Sequence, residues 1–278
     1  MTGRILERAL AYLVLVIIGI IGFAPFVIIL ILSTKARFQI ATEVPPTLVF
    51  DLAQIEKNYR DVLFQRGFLG YIWNSIVVTA LSVGVSLVLA TPAAYAFSRI
   101  RFRGRDRAAS TILSLRFMPA VAVAIPVMLM MRFINLDDTL PGLVIPYVAF
   151  SLPLVVWILI GFFDEIPREL DDAAMVDGCT RFGVLNRIML PLVRPGLIVA
   201  AIFAAIFIWN EFLVGLYVVN SQGLKTIPLG AAGLISAERP IDWNIAATVG
   251  VVTIIPIFIF SLFIQRYIVR GITAGAVK

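Results

Sequence analysis

Trp209-Asn210-Glu211, inside a long apolar stretch, are the side chains best placed to handle a polar solute. A carboxylate in apolar sequence is expensive to keep, so Glu211 either lines a functional route or makes a structural hydrogen bond to a neighbouring helix. Asn210 can donate to and accept from hydroxyl groups. Trp209 either stacks on the apolar face of a ring-shaped solute or serves as packing or an interfacial anchor. A second spaced group lies in a polar interlude, Asp164 to Val193. It reads Asp172-Ala173-Ala174, then Asp177-Gly178, then nine residues, then Ile188-Met189-Leu190-Pro191.

Much other chemistry is excluded. The chain has no histidine, which removes imidazole bases, histidine metal ligands and Ser-His triads together. Cys179 is the single cysteine, so no internal disulfide forms and a cysteine-based metal site is not expected. No Gly-x-x-x-x-Gly-Lys-Ser/Thr phosphate loop occurs, and Gly104-Arg105-Asp106 does not make one. An intramembrane enzyme would need a nucleophile with its base, and an ion-coupled secondary transporter would need ionisable groups deep in several spans; Glu211 alone qualifies. Met118, Met128, Met130 and Met131 read as core filler rather than a metal path.

The elements that position these residues are membrane helices. Hydrophobic residues make up 60% of the 278 and charged residues 14%, against about 25% charged in soluble domains. A hydrocarbon core about 30 Å thick needs about 20 apolar residues per helix, and the apolar runs do not alternate as barrel strands would. Six spans are expected, near Tyr12–Leu32, Trp73–Phe97, Thr111–Met131, Leu143–Phe163, Leu197–Val219 and Ala246–Ile264. The first is too long for a signal-peptide core and reads as a retained span. The third holds Arg116, Pro119 and Pro126, and Arg116 either snorkels to the interface or has a role inside the membrane. No linker or repeat divides the chain, so residues 1–278 read as one all-α polytopic membrane domain.

Orientation follows from lysine and arginine. Of the 23, 14 fall on the side of both termini, the Arg99–Arg107 loop and the interlude, 8 on the other, and Arg116 lies within a span. Both termini and the 164–193 loop are expected to be cytoplasmic. The net charge of +6 reflects this bias and not nucleic-acid binding, since no solvated basic domain is present. On the opposite side, Val44-Pro45-Pro46-Thr47 is expected to be extended. Ile55, Tyr59, Val62, Leu63, Phe68 and Leu69 then recur at helical spacing, as an interfacial helix or as a loop packed on the bundle.

Within the interlude, Pro167 suits the first turn of a helix. Ile166, Leu170, Ala173 and Ala174 share one face, with Glu169, Asp171 and Asp172 flanking near the positive end of the helix dipole. Gly178 stops that helix. A second helix carries Phe182, Leu185, Ile188 and Met189 on one face and is expected to end at Pro191. Spacing alone fits either an ordinary loop with two helical segments or a docking element.

The spacing resembles the EAA loop of ABC importer permeases: Asp172-Ala173-Ala174, Gly178, Ile188, Leu190 and Pro191 fall in the register E-A-A, three residues, G, nine residues, I-x-L-P. Aspartate stands for the family glutamate, which shortens its reach by a methylene. Asn58-Tyr59, Asn74-Ser75, Ala93-Ala94-Tyr95-Ala96-Phe97-Ser98-Arg99, Trp209-Asn210-Glu211-Phe212 and the ending Gln265-Arg266, Gly271, Gly275-Ala276-Val277-Lys278 are similar to the carbohydrate branch, maltose-type second permease. The resemblance implies the type I ABC importer permease fold and a non-catalytic subunit of the prokaryotic inner membrane. It implies partners as well: a second permease, two ABC ATPase subunits holding ATP and Mg, an extracytoplasmic binding protein and membrane lipid. This chain itself would bind no cofactor. A permease for polyamines, amino acids or oxyanions shares the same loop logic and stays the alternative.

Overall fold

The computed structural model describes residues 2–43, 47, 51–234 and 241–275. The expected extended segment Val44-Pro45-Pro46, the basic residue Arg239 and the tail residues Ala276-Val277-Lys278 lie outside the described residues.

Among the described residues all regular secondary structure is helical. In chain order the helices are α1 (Thr2–Ser33), α2 (Arg37–Thr42), α3 (Leu52–Arg60), α4 (Phe68–Arg99), α5 (Arg105–Ser114), α6 (Ala120–Phe133), α7 (Leu140–Asp164), α8 (Glu169–Val176), α9 (Arg181–Val184), α10 (Leu190–Trp209), α11 (Leu213–Val218), α12 (Ile227–Ala232) and α13 (Trp243–Gly275). Among the described residues, five helical stretches are long and apolar enough to cross a membrane: Glu7–Ser33, Phe68–Arg99, Leu140–Asp164, Arg181–Trp209 and Trp243–Phe263. A sixth arises if α5 and α6 together form one broken span.

Two of the expected spans are not continuous helices. The third, Thr111–Met131, breaks between α5 and α6, whose axes meet at 94°. Pro119 causes the break: it lacks an N–H and forces Met118 into extended backbone, φ −65° and ψ 132°. The fifth, Leu197–Val219, ends at Trp209 and resumes at Leu213, leaving Asn210 to Phe212 as a non-helical joint.

The chain separates into two compact units, residues 1–69 with 231–256 and residues 70–230 with 257–278. In the first, a buried polar knot joins distant segments. Asn58 donates to the carbonyls of Ser33 at 2.8 Å and Lys35 at 2.9 Å, and accepts from Gln54 and Asn244. Lys35 pairs with Glu43 at 3.0 Å. The segment from Leu52 is a helix, α3, continued by a wider π-turn over Asp61–Gln65 and anchored through Asn58 and Val62. Leu52 and Phe64 stay exposed.

In the second unit, α7 and α10 form the core. Leu143, Tyr147, Val155, Leu159 and Phe163 recur at four-residue spacing and meet Val193, Ala200, Ala204 and Ile208 in one buried cluster. Small side chains let membrane helices approach closely. Gly196 is such a position, since a Cβ there would lie 2.5 Å from the Phe162 ring. Ser86 and Ser151 add a buried hydroxyl pair at 2.7 Å between α4 and α7.

Candidate functional site

The interlude folds as two short helices joined at a glycine. Helix α8 starts at Glu169, so Pro167 lies just ahead of its first turn rather than inside it. Its end is a Schellman turn: Cys179 N–H reaches the Ala174 carbonyl at 3.0 Å, and Gly178 N–H reaches Met175 at 3.1 Å. Gly178 takes φ +87°, which only glycine enters without strain. Thr180 then caps α9, its hydroxyl accepting from Gly183 N–H at 3.2 Å.

The second helix of the interlude does not end at Pro191. A π-turn over Leu185–Met189 carries α9 directly into α10, with Pro191 in the first turn, where it is tolerated. The wider turn absorbs the proline's missing donor without ending the helix. The expected apolar face also shifts: Val184, Leu185 and Met189 are buried and Ile188 half-buried, while Phe182 points outward at 70% exposure.

Helix α8 divides its acidic residues in a way the sequence did not reveal. Asp172, Ala173 and Asp177 are exposed, whereas Asp171 and Ala174 are buried. Asp171 accepts from the Tyr95 hydroxyl at 2.8 Å and contacts Arg99 at 3.0 Å, while Arg99 also donates to the Ile166 carbonyl at 2.8 Å. The Ser98 hydroxyl donates to the Asp164 carboxylate. One signal for this was available: Tyr95 and Arg99 stand one helical turn apart at the end of a span, where a buried acid is their natural partner. The loop surface left open carries Leu170, Met175, Val176 and Phe182 among its charges, with Val176 87% exposed.

The α10–α11 joint places Trp209, Asn210 and Glu211 differently from one another. Trp209 is buried, only 2% exposed, and packs in the core. Asn210 turns back to donate to the Ile206 carbonyl at 2.7 Å. Glu211 caps α11: its carboxylate accepts from Val214 N–H at 2.9 Å and Gly215 N–H at 3.3 Å. A carboxylate at the positive end of a helix satisfies donors that the break would otherwise strand. The buried Tyr147 phenol lies beside it without an aligned hydrogen bond.

Asn210 and Glu211 also open onto a cavity of about 910 Å³ within the second unit. Phe150, Phe203 and Phe207 line it, and Arg116 enters from the α5–α6 break. The Arg116 guanidinium lies over the Phe207 ring at 4.6 Å from its centroid, a cation–π contact. Arg116 thus faces a cavity rather than acting only as an interfacial anchor. Trp209 is not among the residues lining it.

Other motif residues serve as ties. Asn74 donates to the carbonyls of Gly223 at 2.8 Å and Lys225 at 3.0 Å, and Ser75 accepts from Ile227 N–H at 2.9 Å. Asp138 accepts from the backbone N–H groups of Asn220 at 3.0 Å and Ser221 at 2.9 Å. Those two donors hold its carboxyl below the ordinary 3.8.

The sequence pattern of the family described as binding-protein-dependent transport system inner membrane component matches residues 82–274. The sulfoquinovosyl glycerol transport system permease protein SmoH of Agrobacterium fabrum is 32% identical over 271 residues, covering 98% of this chain and 94% of that protein. The trehalose transport system permease protein SugB of Mycobacterium tuberculosis is 36% identical over 266 residues, covering 93% and 94% respectively. A chain in the crystal structure of a bacterial ABC transporter that imports the acidic polysaccharide alginate superimposes with a TM-score of 0.77 at 23% identity, over 96% of this chain and 98% of that one, so the two share a fold. Taken with the glycine-jointed loop and the broken spans, these matches establish that the chain belongs to the binding-protein-dependent transport system inner membrane component family, as a non-catalytic permease subunit.

Proposed function

We propose that this permease forms part of the path for a carbohydrate in an ATP-driven importer. The observation that carries the reading is similarity over nearly the whole chain to permeases of trehalose and sulfoquinovosyl glycerol systems. The cavity supports it. Flat apolar faces of Phe150, Phe203 and Phe207 beside Asn210, Glu211 and Arg116 suit a solute that carries both C–H surface and hydroxyls.

In this reading a second permease completes the path, two ATPase subunits bind the Asp164–Val193 loop, and an extracytoplasmic binding protein delivers the solute. Asp172, Ala173, Asp177 and Gly178 meet the ATPase with the exposed Val176 and Phe182. Ala174, Ile188 and Leu190 shape the loop from within, and the exposed Pro191 sets the first turn of α10. ATP and Mg stay on the partners. ATP binding draws the ATPases together, moves α8 with them and biases a two-state bundle, and hydrolysis resets it. The protein sits in a prokaryotic inner membrane with both termini cytoplasmic.

The test is reconstitution of the complete transporter with its binding protein. A loaded binding protein should stimulate ATP hydrolysis and uptake when the ligand is a saccharide, polyol or glycoside. Stimulation confined to a polyamine, amino acid or oxyanion would move the permease to another solute class.

A further inference from the structure

Beyond the end of α4 the chain turns at Gly104 and arranges a second polar cavity of about 760 Å³. Five arginines line it, Arg101, Arg103, Arg105, Arg107 and Arg168, against a single acidic residue, Asp106. That carboxylate is 90% exposed and engaged by its neighbour Arg105 at 3.1 Å. Arg105 and Arg168 both donate to one carbonyl, that of Ser98, at 3.4 Å and 3.1 Å. Among the described residues, Arg101, Arg103 and Arg107 form no ion pair.

A topology signal accounts for basic residues in this loop. It does not account for their closing around one cavity, nor for Arg168 joining them from a segment about 60 residues further along the chain. Like charges so placed repel unless an anion sits among them. Planar guanidinium groups match phosphate oxygens in pairs. The cavity also has an apolar border: Phe102 lines it, 44% exposed, and packs on Phe97 at 5.7 Å in the last turn of a membrane helix. A phosphate attached to an acyl chain satisfies both halves, the basic cup and the apolar edge.

We propose that this cavity binds the phosphate headgroup of an anionic membrane phospholipid, and that Arg168, which stands immediately before the first residue of α8, transmits its occupancy to that helix. The lipid site stands on the cavity alone. Its effect on coupling rests on the docking-loop reading above.

The experiment uses the complete transporter in nanodiscs of phosphatidylcholine with or without phosphatidylglycerol. Native mass spectrometry reads retained lipid, and ATP hydrolysis is followed in parallel. Wild type should retain phosphatidylglycerol over phosphatidylcholine. R101Q/R103Q/R107Q should lower that retention by about a hundredfold, the lysine triple variant should lose less, and K57Q/R60Q/R132Q, which removes equal charge elsewhere, should retain it fully. Equal retention by the glutamine triple and wild type overturns the site. Saturation by inorganic phosphate, with no preference for phosphatidylglycerol, overturns the lipid as its occupant. Loss of ATPase association by the glutamine triple variant in pure phosphatidylcholine, where wild type keeps it, identifies the arginines as a protein contact and overturns the proposal. Stimulation of hydrolysis by phosphatidylglycerol that vanishes in the triple variant supports the link through Arg168, and hydrolysis indifferent to phosphatidylglycerol in wild type overturns that link. Failure of the carbohydrate reading would leave lipid retention unchanged, so the two are separable.

Discussion

Arg99 Nε lies 3.0 Å from Asp171 Oδ2, with both side chains less than a tenth exposed. The contact is charge against charge without an aligned hydrogen bond; the directional bonds go to Tyr95 on the acid and to the Ile166 carbonyl on the base. The last two turns of α4 thereby hold both the entry to the 164–193 loop and its first helix. Tyr95, Arg99 and Asp171 thus tie α8 to a membrane span by direct side-chain contacts.

Removing one member should therefore hurt more than removing both. Asp171→Ala leaves Arg99 buried and unpaired, at a cost of about 3–5 kcal/mol. The thermal midpoint of the purified transporter should fall, with weaker co-purification of the ATPase. Pairing it with Arg99→Met should recover most of the loss. A double variant no better than the single one would show that the ion pair is not the tie.

Gly178 and Asp172 test the docking surface itself. Nothing lies within 4 Å of a Cβ built on Gly178, so the cost of Gly178→Val is backbone strain at φ +87°, about 1–2 kcal/mol. Asp172→Lys reverses an exposed charge without touching the core. Both variants should insert normally yet bind the ATPase less or hydrolyse ATP without uptake. Unchanged association, hydrolysis and uptake in both would sink the coupling reading.

The three residues at the α10–α11 joint should separate by assay. Trp209→Ala empties a core site and should cost about 3–5 kcal/mol of stability, lowering assembled transporter. Glu211→Gln keeps one acceptor for the α11 amides and should leave assembly near normal while changing uptake. Asn210→Ala should do likewise. Normal uptake in both, with assembly intact, would assign the joint a structural role only.

Orientation is tested by thiol labelling in sealed vesicles with Cys179 replaced. Arg181→Cys should react only from the cytoplasmic side and Arg132→Cys only from the outside, as the basic-residue asymmetry requires. Labelling of Arg181→Cys from outside alone would invert the topology and remove the docking loop from the ATPase.

How far the sequence carried the fold can be read from these same residues. Apolar length identified the spans because hydrocarbon thickness leaves little freedom, and Gly178 was legible because glycine past a helix end is a local signal. The breaks were harder. Pro119 announced a disturbance without its 94° size, and the gap at Asn210–Phe212 has no proline or glycine to mark it. It is held by Glu211 as a cap, which looks in sequence like a charge within a continuous span. Asp171 was hidden for a related reason. Three acids in one turn look alike until tertiary contacts choose which one turns inward, and the partners that choose Asp171 come from α4.

Asp138 offers a pH test outside the spans. Backbone donors at Ser221 and Asn220 favour its ionised form and lower its pKa beneath the ordinary 3.8. A carboxyl depressed in the folded state contributes stability that is fully present above its unfolded pKa and is lost as pH falls through the folded value. The clamp between Asp138 and residues 220–221 should therefore hold at neutral and mildly acidic pH and release only below the usual carboxylate range. Hydrogen exchange at the Asn220 and Ser221 amides, corrected for intrinsic rates, should show protection that falls on acidification. Asp138→Asn should be less protected at neutral and mildly acidic pH and lack the acid step. An acid step that persists in Asp138→Asn would place the titrating group elsewhere.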